Sequence, residues 1–303
     1  MFSRLSNSRP VASLLLAAAC WGLGTVLSKG ALAYIPPLTL LVTQLIASLV
    51  VLWLVLRFQR LRLRWSRQLW PVSLLGWLNP GLSYTLSLIG LSMTTASASA
   101  LLWATEPLLI VGLAWLVLRE RLTPKFLLLT AVAAAGAGLV IGANFGQPGV
   151  LTGNTLILGG VLCCALYTVL AARLGQDVGP LLAVTLQESL ALVWALLIWP
   201  VELNQRGLGS IAQIPVQAWG LAILSGLVYY GLAFWFYLSG LRRVPASEAG
   251  VFINLVPVFA LAGAYGLLGE SLGPIQWLGC GLVLAAVIGL SLRPKLTEAS
   301  GTR

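Results

Sequence analysis

The chain has 303 residues, of which 59% are hydrophobic and only 9% are charged. A soluble domain of this length needs more polar residues to cover its surface, so the composition predicts a polytopic membrane protein. The absence of histidine removes the commonest metal ligand and general base. The net charge of +10 does not indicate nucleic-acid binding, because the basic residues fall between apolar runs.

The first apolar run resembles a secretory signal, because it follows a short basic segment. Two features argue against cleavage. The run continues to about Ala33, which is the length of a membrane span, and the segment 20–27 recurs as 163–170. We therefore interpret this run as a retained first span.

Apolar length and the positions of glycine and proline predict ten membrane-spanning helices. The predicted fold is an all-α integral membrane protein whose ten transmembrane helices form two inverted five-helix repeats. The expected spans lie at about 11–33, 38–56, 71–90, 95–118, 124–143, 153–173, 181–200, 217–240, 246–268 and 273–292.

An internal repeat supports the division into halves. Residues 76–124 match residues 226–274 at an offset of 150, with 14 identities in 49 positions. The proline of Glu106-Pro107 recurs as Pro257, and Glu120 recurs as Glu270. A repeat of this length predicts two structural halves, 1–146 and 147–303.

The orientation follows from the basic residues in the connections. Sixteen lysines and arginines fall on one predicted side and only Lys29 and Arg206 on the other. This asymmetry predicts a multi-pass protein of the inner (plasma) membrane with both termini in the cytoplasm. Because each half has an odd number of spans, the halves are expected to be inverted, an architecture typical of secondary transporters.

Several of these residues form a recognisable pattern. They are Trp21-Gly22 and Lys29 in span 1, the stretch from Glu106-Pro107 to Thr123, and its repeat from Pro257 to Leu272. On this pattern the chain resembles the drug/metabolite transporter superfamily, of the EamA-like kind with ten spans. The resemblance implies that spans 1–4 and 6–9 surround a central substrate cavity, whereas spans 5 and 10 are scaffold. Such proteins often carry arginine in span 2, where this chain has Gln44.

Glu106 is an acidic residue near the middle of span 4. An ionised carboxylate at that depth costs about 2.5–3.5 kcal/mol on insertion scales, so we expect a carboxyl that can exchange protons. Pro107 interrupts the helix beside it. Helical spacing places Trp103, Leu102, Ser99 and Thr95 on the same face. The alternative is a structural acid that hydrogen-bonds the interrupted helix.

Glu188 is the second intramembrane carboxyl, with an interhelical hydrogen bond as its alternative role. Lys29 either extends to the outer interface or meets a substrate carboxylate at the outer mouth. Glu120 and Glu270, at the ends of their spans, are interpreted as structural. Small residues at Gly138-xxx-Gly142 and Gly281-xxx-Ala285-xxx-Gly289 suit contact between spans 5 and 10, or a dimer. The expected substrate-binding residues are Trp21, Asn79, Tyr84, Ser99, Trp103, Glu106, Tyr167, Glu188, Tyr230 and Asn254.

The sequence favours a secondary transporter that exports small metabolites such as amino acids, aromatic or apolar ones included, by alternating access. The alternatives are an exporter of cationic drugs and an uncoupled facilitator. The expected partners are the small-molecule substrate, protons as a candidate coupling ion, and the lipid bilayer; we expect no nucleic acid, and a monomer or homodimer. An enzyme is disfavoured because no nucleophile and base, and no metal ligands, gather at one depth. The four cysteines, Cys20, Cys163, Cys164 and Cys280, lie in apolar runs without CxxC spacing, so neither a metal nor another cofactor is expected.

Overall fold

The structure is a computed structural model that describes residues 8–59, 69–118, 124–142, 149–174, 178–207, 211–241, 252 and 255–291. All secondary structure within these ranges is helical, and it forms ten helices, as the sequence predicts. The first half contains α1 (Ser8–Leu32), α2 (Pro37–Phe58), α3 (69–93), α4 (96–118) and α5 (Pro124–Gly142). The second half contains α6 (Val150–Leu174), α7 (Pro180–Arg206), α8 (216–241), α9 (Val256–Leu268) and α10 (Pro274–Ser291).

Five of these helices are each long and apolar enough to cross a bilayer, by length and composition. They belong to α1, α2, α6, α7 and α8. Proline occupies the first helical position of α2 and of α7, where its missing amide hydrogen costs nothing. The predicted start of span 9, at residue 246, lies outside the described residues.

Three helices are interrupted near their middle. A π-type turn interrupts α3 at Trp77–Leu82, where Asn79 has extended backbone angles (φ −145°, ψ 123°). A second π-type turn interrupts α8 at Leu227–Leu232, which is the equivalent position at the offset of 150. The third break separates Ala96–Trp103 from Glu106–Leu118 in α4. Irregular backbone at membrane depth is tolerated where it borders a cavity, so these breaks point to the functional site.

Helices of one half pack on helices of the other half. Helix α3 packs on α6, and its equivalent α8 packs on α1. In the same way α4 packs on α6 and α9 on α1, while α2 contacts α7 and α5 contacts α10 across the pseudo-two-fold axis. The repeat therefore appears in the contacts as well as in the sequence.

The close glycine contacts show this symmetry at single residues. A Cβ atom at Gly240 would lie 2.6 Å from Leu14 side-chain carbons, and one at its equivalent Gly90 would lie 2.8 Å from an Ile157 side-chain carbon. Leu14 and Ile157 are themselves equivalent at an offset of 143, which relates α1 to α6. Each glycine thus lets two helices of different halves approach closely.

Helices α5 and α10 pack together, as the small residues suggested, but in a different register. A Cβ atom at Gly136 would lie 2.7 Å from the carbonyl oxygen of Gly279, whereas Gly138 and Gly281 have no atom within 4 Å of that position. Of the predicted motif, Gly289 contacts the partner helix through Leu129. The motif spacing alone does not decide which side of each helix faces its partner.

Candidate functional site

A cavity of about 280 Å³ lies where the interrupted helices of the two halves meet. Its wall follows the repeat, because residues at equivalent positions of the two halves line it together. Seven such pairs face it: Trp21/Cys164, Thr25/Thr168, Asn79/Tyr229, Pro80/Tyr230, Tyr84/Phe234, Glu106/Val256 and Pro107/Pro257. The pseudo-two-fold axis therefore passes through the cavity, the position expected of a site between inverted repeats.

The structure brings most of the predicted binding residues together. Eight of the ten line this cavity: Trp21, Asn79, Tyr84, Trp103, Glu106, Tyr167, Glu188 and Tyr230. Ser99 instead lines a second, smaller cavity of about 30 Å³ next to it. Asn254 lies outside the described residues. That these side chains bind a substrate stays a prediction.

Glu106 is the first residue of the second segment of α4, directly after the break. Its carboxyl faces the cavity, and the Cys164 thiol of α6 is its neighbour. The helical face that the sequence suggested for it is only partly right. Trp103 shares the cavity with Glu106, but Leu102 packs into an apolar cluster and Thr95 caps the helix by accepting from the Ala98 amide (3.0 Å). The break at 104–105 changes the rotation of the helix, so the spacing of a continuous helix does not hold across it.

Glu188 on α7 is the second carboxyl at the cavity, and its side chain is almost fully buried, at 2% exposure. Its Oε2 accepts a hydrogen bond from the Ser48 hydroxyl of α2 (2.8 Å). Its Oε1 is buried and has no hydrogen-bond partner among the described residues. Buried polar atoms are rarely left unpaired, so this oxygen is available to a hydrogen-bond donor in the cavity.

Gln187 and Tyr167 form a polar pair beside Glu188. The Tyr167 hydroxyl donates to Gln187 Oε1 (2.8 Å), and Gln187 Nε2 donates to the backbone carbonyl of Val72 (3.1 Å). These bonds join α3, α6 and α7 at the wall of the cavity. The carboxamide is therefore fixed by its neighbours and supports the wall.

Aromatic rings cover much of the remaining surface. Tyr84 stacks on Trp103 with a centroid separation of 5.6 Å and an interplanar angle of 22°, and it meets the rings of Tyr229 and Tyr230 edge-on. Trp21 also packs edge-on against Phe234, with a centroid separation of 5.5 Å. Among the described residues that line the cavity, none is a lysine or an arginine. The site thus combines two carboxyls with aromatic faces.

The smaller cavity lies beyond this aromatic cluster and is lined by hydroxyl groups and a carboxamide. Gln44, Ser87 and Ser99 all face it. Gln44 Nε2 donates to Ser28 Oγ and to Ser225 Oγ (both 2.8 Å), while Gln44 Oε1 and Ser87 Oγ have no partner among the described residues. Its volume is enough for a water molecule or two. The position that often carries arginine in EamA-like proteins is thus a hydrogen-bonding bridge between α1, α2 and α8.

Two of the charged residues from the sequence analysis lie away from the cavity. Lys29 does not line it, and its Nζ donates to the backbone carbonyl of Leu91 near the end of α3 (2.9 Å). Glu270 binds the beginning of α4 through three hydrogen bonds. Glu120 lies outside the described residues.

Several lining residues were not predicted from the sequence, although the repeat could have supplied some of them. Thr25, Cys164, Thr168, Phe234 and Pro257 line the cavity, and each is paired with another lining residue by the repeat. Taking the equivalent of every candidate residue would have found Cys164 from Trp21 and Phe234 from Tyr84. Leu284 carries no such signal. It belongs to α10, which the resemblance assigned to scaffold, yet it also lines the cavity.

Comparison with solved structures supports the fold. A chain described as "Crystal structure of protein" superposes with a TM-score of 0.64 over 94% of this chain and 99% of that chain. The sequences are 19% identical, so this likeness concerns the fold alone.

Sequence relatives include several proteins named as transporters. The uncharacterized transporter YetK of Bacillus subtilis is 27% identical over 70% of this chain and 64% of its own length. The uncharacterized transporter YvbV of the same organism is 26% identical over 98% of this chain and 96% of its own length. The threonine/homoserine exporter RhtA of Escherichia coli is 33% identical over 47% of this chain and 46% of its own length.

The profile of the EamA-like transporter family matches residues 9–142 and again residues 151–292. Together the two matches cover nearly the whole chain, one in each half of the helical repeat. The chain therefore belongs to the EamA-like transporter family.

Proposed function

We propose that the protein is a secondary exporter of small amino metabolites, amino acids foremost, and that it works by alternating access around the central cavity. The observation that carries this proposal is the pairing of Glu106 and Glu188 in one cavity with aromatic walls and, among its described lining residues, no basic side chain. The same grounds favour transport over catalysis as the role of these residues.

The chemistry of the cavity favours a ligand with an ammonium group. A carboxylate attracts such a group directly, and the faces of tyrosine and tryptophan rings attract cations within about 6 Å by their quadrupoles. Both kinds of group are present, in Glu106, Glu188, Tyr84, Trp103 and Trp21. The flat rings also suit an apolar or aromatic side chain on the substrate.

Cavity size favours small metabolites over bulky drugs. The volume of about 280 Å³ is at or below the lower end of the range of about 300–1,000 Å³ that drug-sized ligands occupy.

A second candidate, the export of organic cations, is favoured by one observation: no described lining residue is a cation that could bind a substrate carboxylate. The Asn79 carboxamide and the tyrosine hydroxyls are the donors left for a carboxylate.

The relatives favour amino acids. RhtA, which is named as a threonine/homoserine exporter, is 33% identical to nearly half of this chain. Transport of a substrate with a hydroxyl or a short apolar side chain would fit the mixed lining of the two cavities.

The proposed orientation places the protein in the inner (plasma) membrane with both termini in the cytoplasm. Its support is the distribution of lysine and arginine, sixteen on one side and two on the other. On this orientation α1, α3, α5, α7 and α9 end at the outer face. Export then means that the cavity loads at the cytoplasmic face and releases at the outer face.

Transport against a gradient needs a coupling ion, and protons are the proposed one. Glu106 is the proposed carrier because its carboxyl faces the cavity at a helix break, where it can exchange a proton with each side in turn. An uncoupled facilitator is the alternative.

Purified protein in proteoliposomes tests the proposal. Radiolabelled threonine, homoserine, leucine and phenylalanine are offered in a counterflow assay, with a cationic dye and an anionic metabolite as competitors. We expect counterflow of at least one amino acid, competition by other amino acids, and none by the anion. Competition by the dye together with no amino-acid counterflow would favour the organic-cation exporter instead.

A further inference from the structure

A carboxylate outside the cavity joins α9 to α4. Glu270 follows α9, and its Oε1 accepts from the Ala96 amide (2.8 Å), while its Oε2 accepts from the Ser97 amide (2.9 Å) and the Ser97 hydroxyl (2.7 Å). A left-handed turn at Gly269 (φ 66°) ends α9 and leads the chain to this contact. The first amides of a helix have no partner within it, so a carboxylate there forms charge-assisted bonds and meets the positive end of the helix dipole.

This contact lies between the cavities and the face at which α9 ends. Ser99, which lines the smaller cavity, is only one turn of α4 inward from the residues that Glu270 binds. Below the carboxylate, Val26, Ala96 and Ala264 form a small apolar cluster. The cluster joins α1, α4 and α9, which also line the large cavity further in. Among the described residues, the carboxylate contact and this apolar cluster thus lie between the cavities and the face at which α9 ends.

We propose that the Glu270 carboxylate is the outer gate of the transporter. It holds the beginning of α4 against α9 while the outer side is shut, and it releases the Ala96 and Ser97 amides each time the cavity opens outward. The inference rests on the proposed function only in that a transporter must open to both faces. Glu270, which the sequence pattern indicated to be structural, thereby has a functional role.

Glu202 forms a similar capping contact that takes no part in the proposed gate. Glu202 near the end of α7 caps α2 in the same way, with its carboxylate accepting from the Leu38 amide (2.9 Å), the Thr39 amide and the Thr39 hydroxyl (both 2.8 Å). This contact adjoins the largest apolar cluster among the described residues, to which α2 contributes Leu40 and α7 contributes Ala195. Because that core keeps α2 and α7 together in any case, the Glu202 cap has no part in opening.

Cys164 provides a natural reporter of the gate. It lines the large cavity, and the other three cysteines of the chain, Cys20, Cys163 and Cys280, can be replaced by alanine. A small, membrane-impermeant cationic thiol reagent added outside intact cells then reaches Cys164 only through an open outer gate. The same reagent added to inside-out vesicles reaches it from the cytoplasmic side.

We expect slow labelling from outside in the parent. Glu270→Gln loses the negative charge and leaves one oxygen for three donors, so the outward-open population should rise. Labelling from outside should become about tenfold faster, which corresponds to about 1.4 kcal/mol, and labelling from the cytoplasmic side should slow. Ser97→Ala removes only one of the three bonds and should give a smaller rise, while Glu202→Gln should label like the parent.

Three results would overturn the proposal. One is that Cys164 is labelled from outside at the parent rate in both Glu270→Gln and Ser97→Ala. Another is that Glu202→Gln speeds labelling from outside as much as Glu270→Gln does, since closure would then depend on both capping contacts and not on Glu270 alone. The third is faster labelling of Glu270→Gln from both sides, which indicates a loosened fold. Because labelling needs no substrate, these outcomes do not depend on whether amino acids are exported.

Discussion

The backbone of Gly226 on α8 lies directly against the backbone of Gln44 on α2, so that a Cβ atom on this glycine would be 2.7 Å from the Gln44 Cα. Gly76 on α3 has the same relationship with the backbone of Gln187 on α7. Gly76 and Gly226 are equivalent in the repeat at the offset of 150, and Gln44 and Gln187 at the offset of 143. Glycine is required at both places because no larger residue allows two helices to approach so closely. The two contacts set the positions of the carboxamides at the two cavities.

Gly226→Ala should therefore destabilise the protein. The added methyl group meets backbone, which cannot move away as a side chain can, so we expect a loss of roughly 1–3 kcal/mol. Thermal unfolding of the purified protein in detergent measures this as a lower Tm. Gly220→Ala on the same helix is the control, since no atom lies within 4 Å of its Cβ position. Equal effects of the two substitutions would show that the Gly226 contact is not tight in the folded protein.

The inverted topology predicts the side of the membrane that each connection occupies. Reporter fusions should place residues 57–70 and the C-terminus in the cytoplasm and residues 201–216 outside, because the basic residues are concentrated on one side. Reporters of opposite compartment preference fused at the same positions provide the control. A cytoplasmic signal from 201–216 would contradict the proposed orientation.

Glu106→Gln tests the proposed proton coupling. Glutamine keeps the size and the hydrogen-bonding ability of the side chain but cannot ionise, so the variant should fold and bind substrate. It should lose the response of transport to a pH gradient while retaining exchange of substrate down its own gradient. Uptake into proteoliposomes with and without an imposed gradient measures both. Accumulation equal to that of the parent would leave Glu106 a structural role, with Glu188 as the next candidate carrier.

The bond between Ser48 and Glu188 should contribute to stability. Ser48→Ala removes the hydroxyl that donates to Glu188 Oε2 and leaves both oxygens of a buried carboxyl unpaired among the described residues, a cost of about 1–3 kcal/mol. Ser73→Ala is the control, because Ser73 is also buried and its hydroxyl donates to a backbone carbonyl within its own helix. A double-mutant cycle of Ser48→Ala with Glu188→Ala, which removes the acceptor, isolates the pairwise energy. Additive effects would mean that the hydroxyl does not stabilise the carboxyl.

The cavity itself can be mapped with introduced cysteines. Asn79→Cys and Trp103→Cys, in a background without the four native cysteines, should react with small soluble thiol reagents, and substrate should slow the reaction, because both positions line the cavity. Leu127→Cys on α5 is the control, since that side chain is exposed on the outside of the protein and does not line the cavity, so we expect lipid to cover it. Unreactive cavity positions together with a reactive Leu127→Cys would place the pathway elsewhere.

Local sequence determined the class of protein, the spans and the repeat. Apolar length fixes where a helix can cross a bilayer, since unpaired backbone groups are too costly there. The repeat of Gly76–Pro124 as Gly226–Pro274 shows by itself that the halves share one fold. Glu106, Glu188 and the aromatic residues could be found because polar groups in apolar runs are conspicuous and costly. These features depend on single segments and need no knowledge of what each helix contacts.

Only the tertiary structure decided the partners. The helical spacing of α4 wrongly grouped Leu102 and Thr95 with Glu106, because the break at 104–105 changes the rotation of the helix. Glu270 binds Ser97, 173 residues away, and Ser48 binds Glu188, 140 residues away. Leu284 reaches the cavity from a helix expected to be scaffold, and α5 and α10 meet through Gly136 and Gly279, which the sequence motif did not include. The rotation of each helix and the choice of its neighbour follow from how the two halves pack together, and no pattern within one segment contains that information.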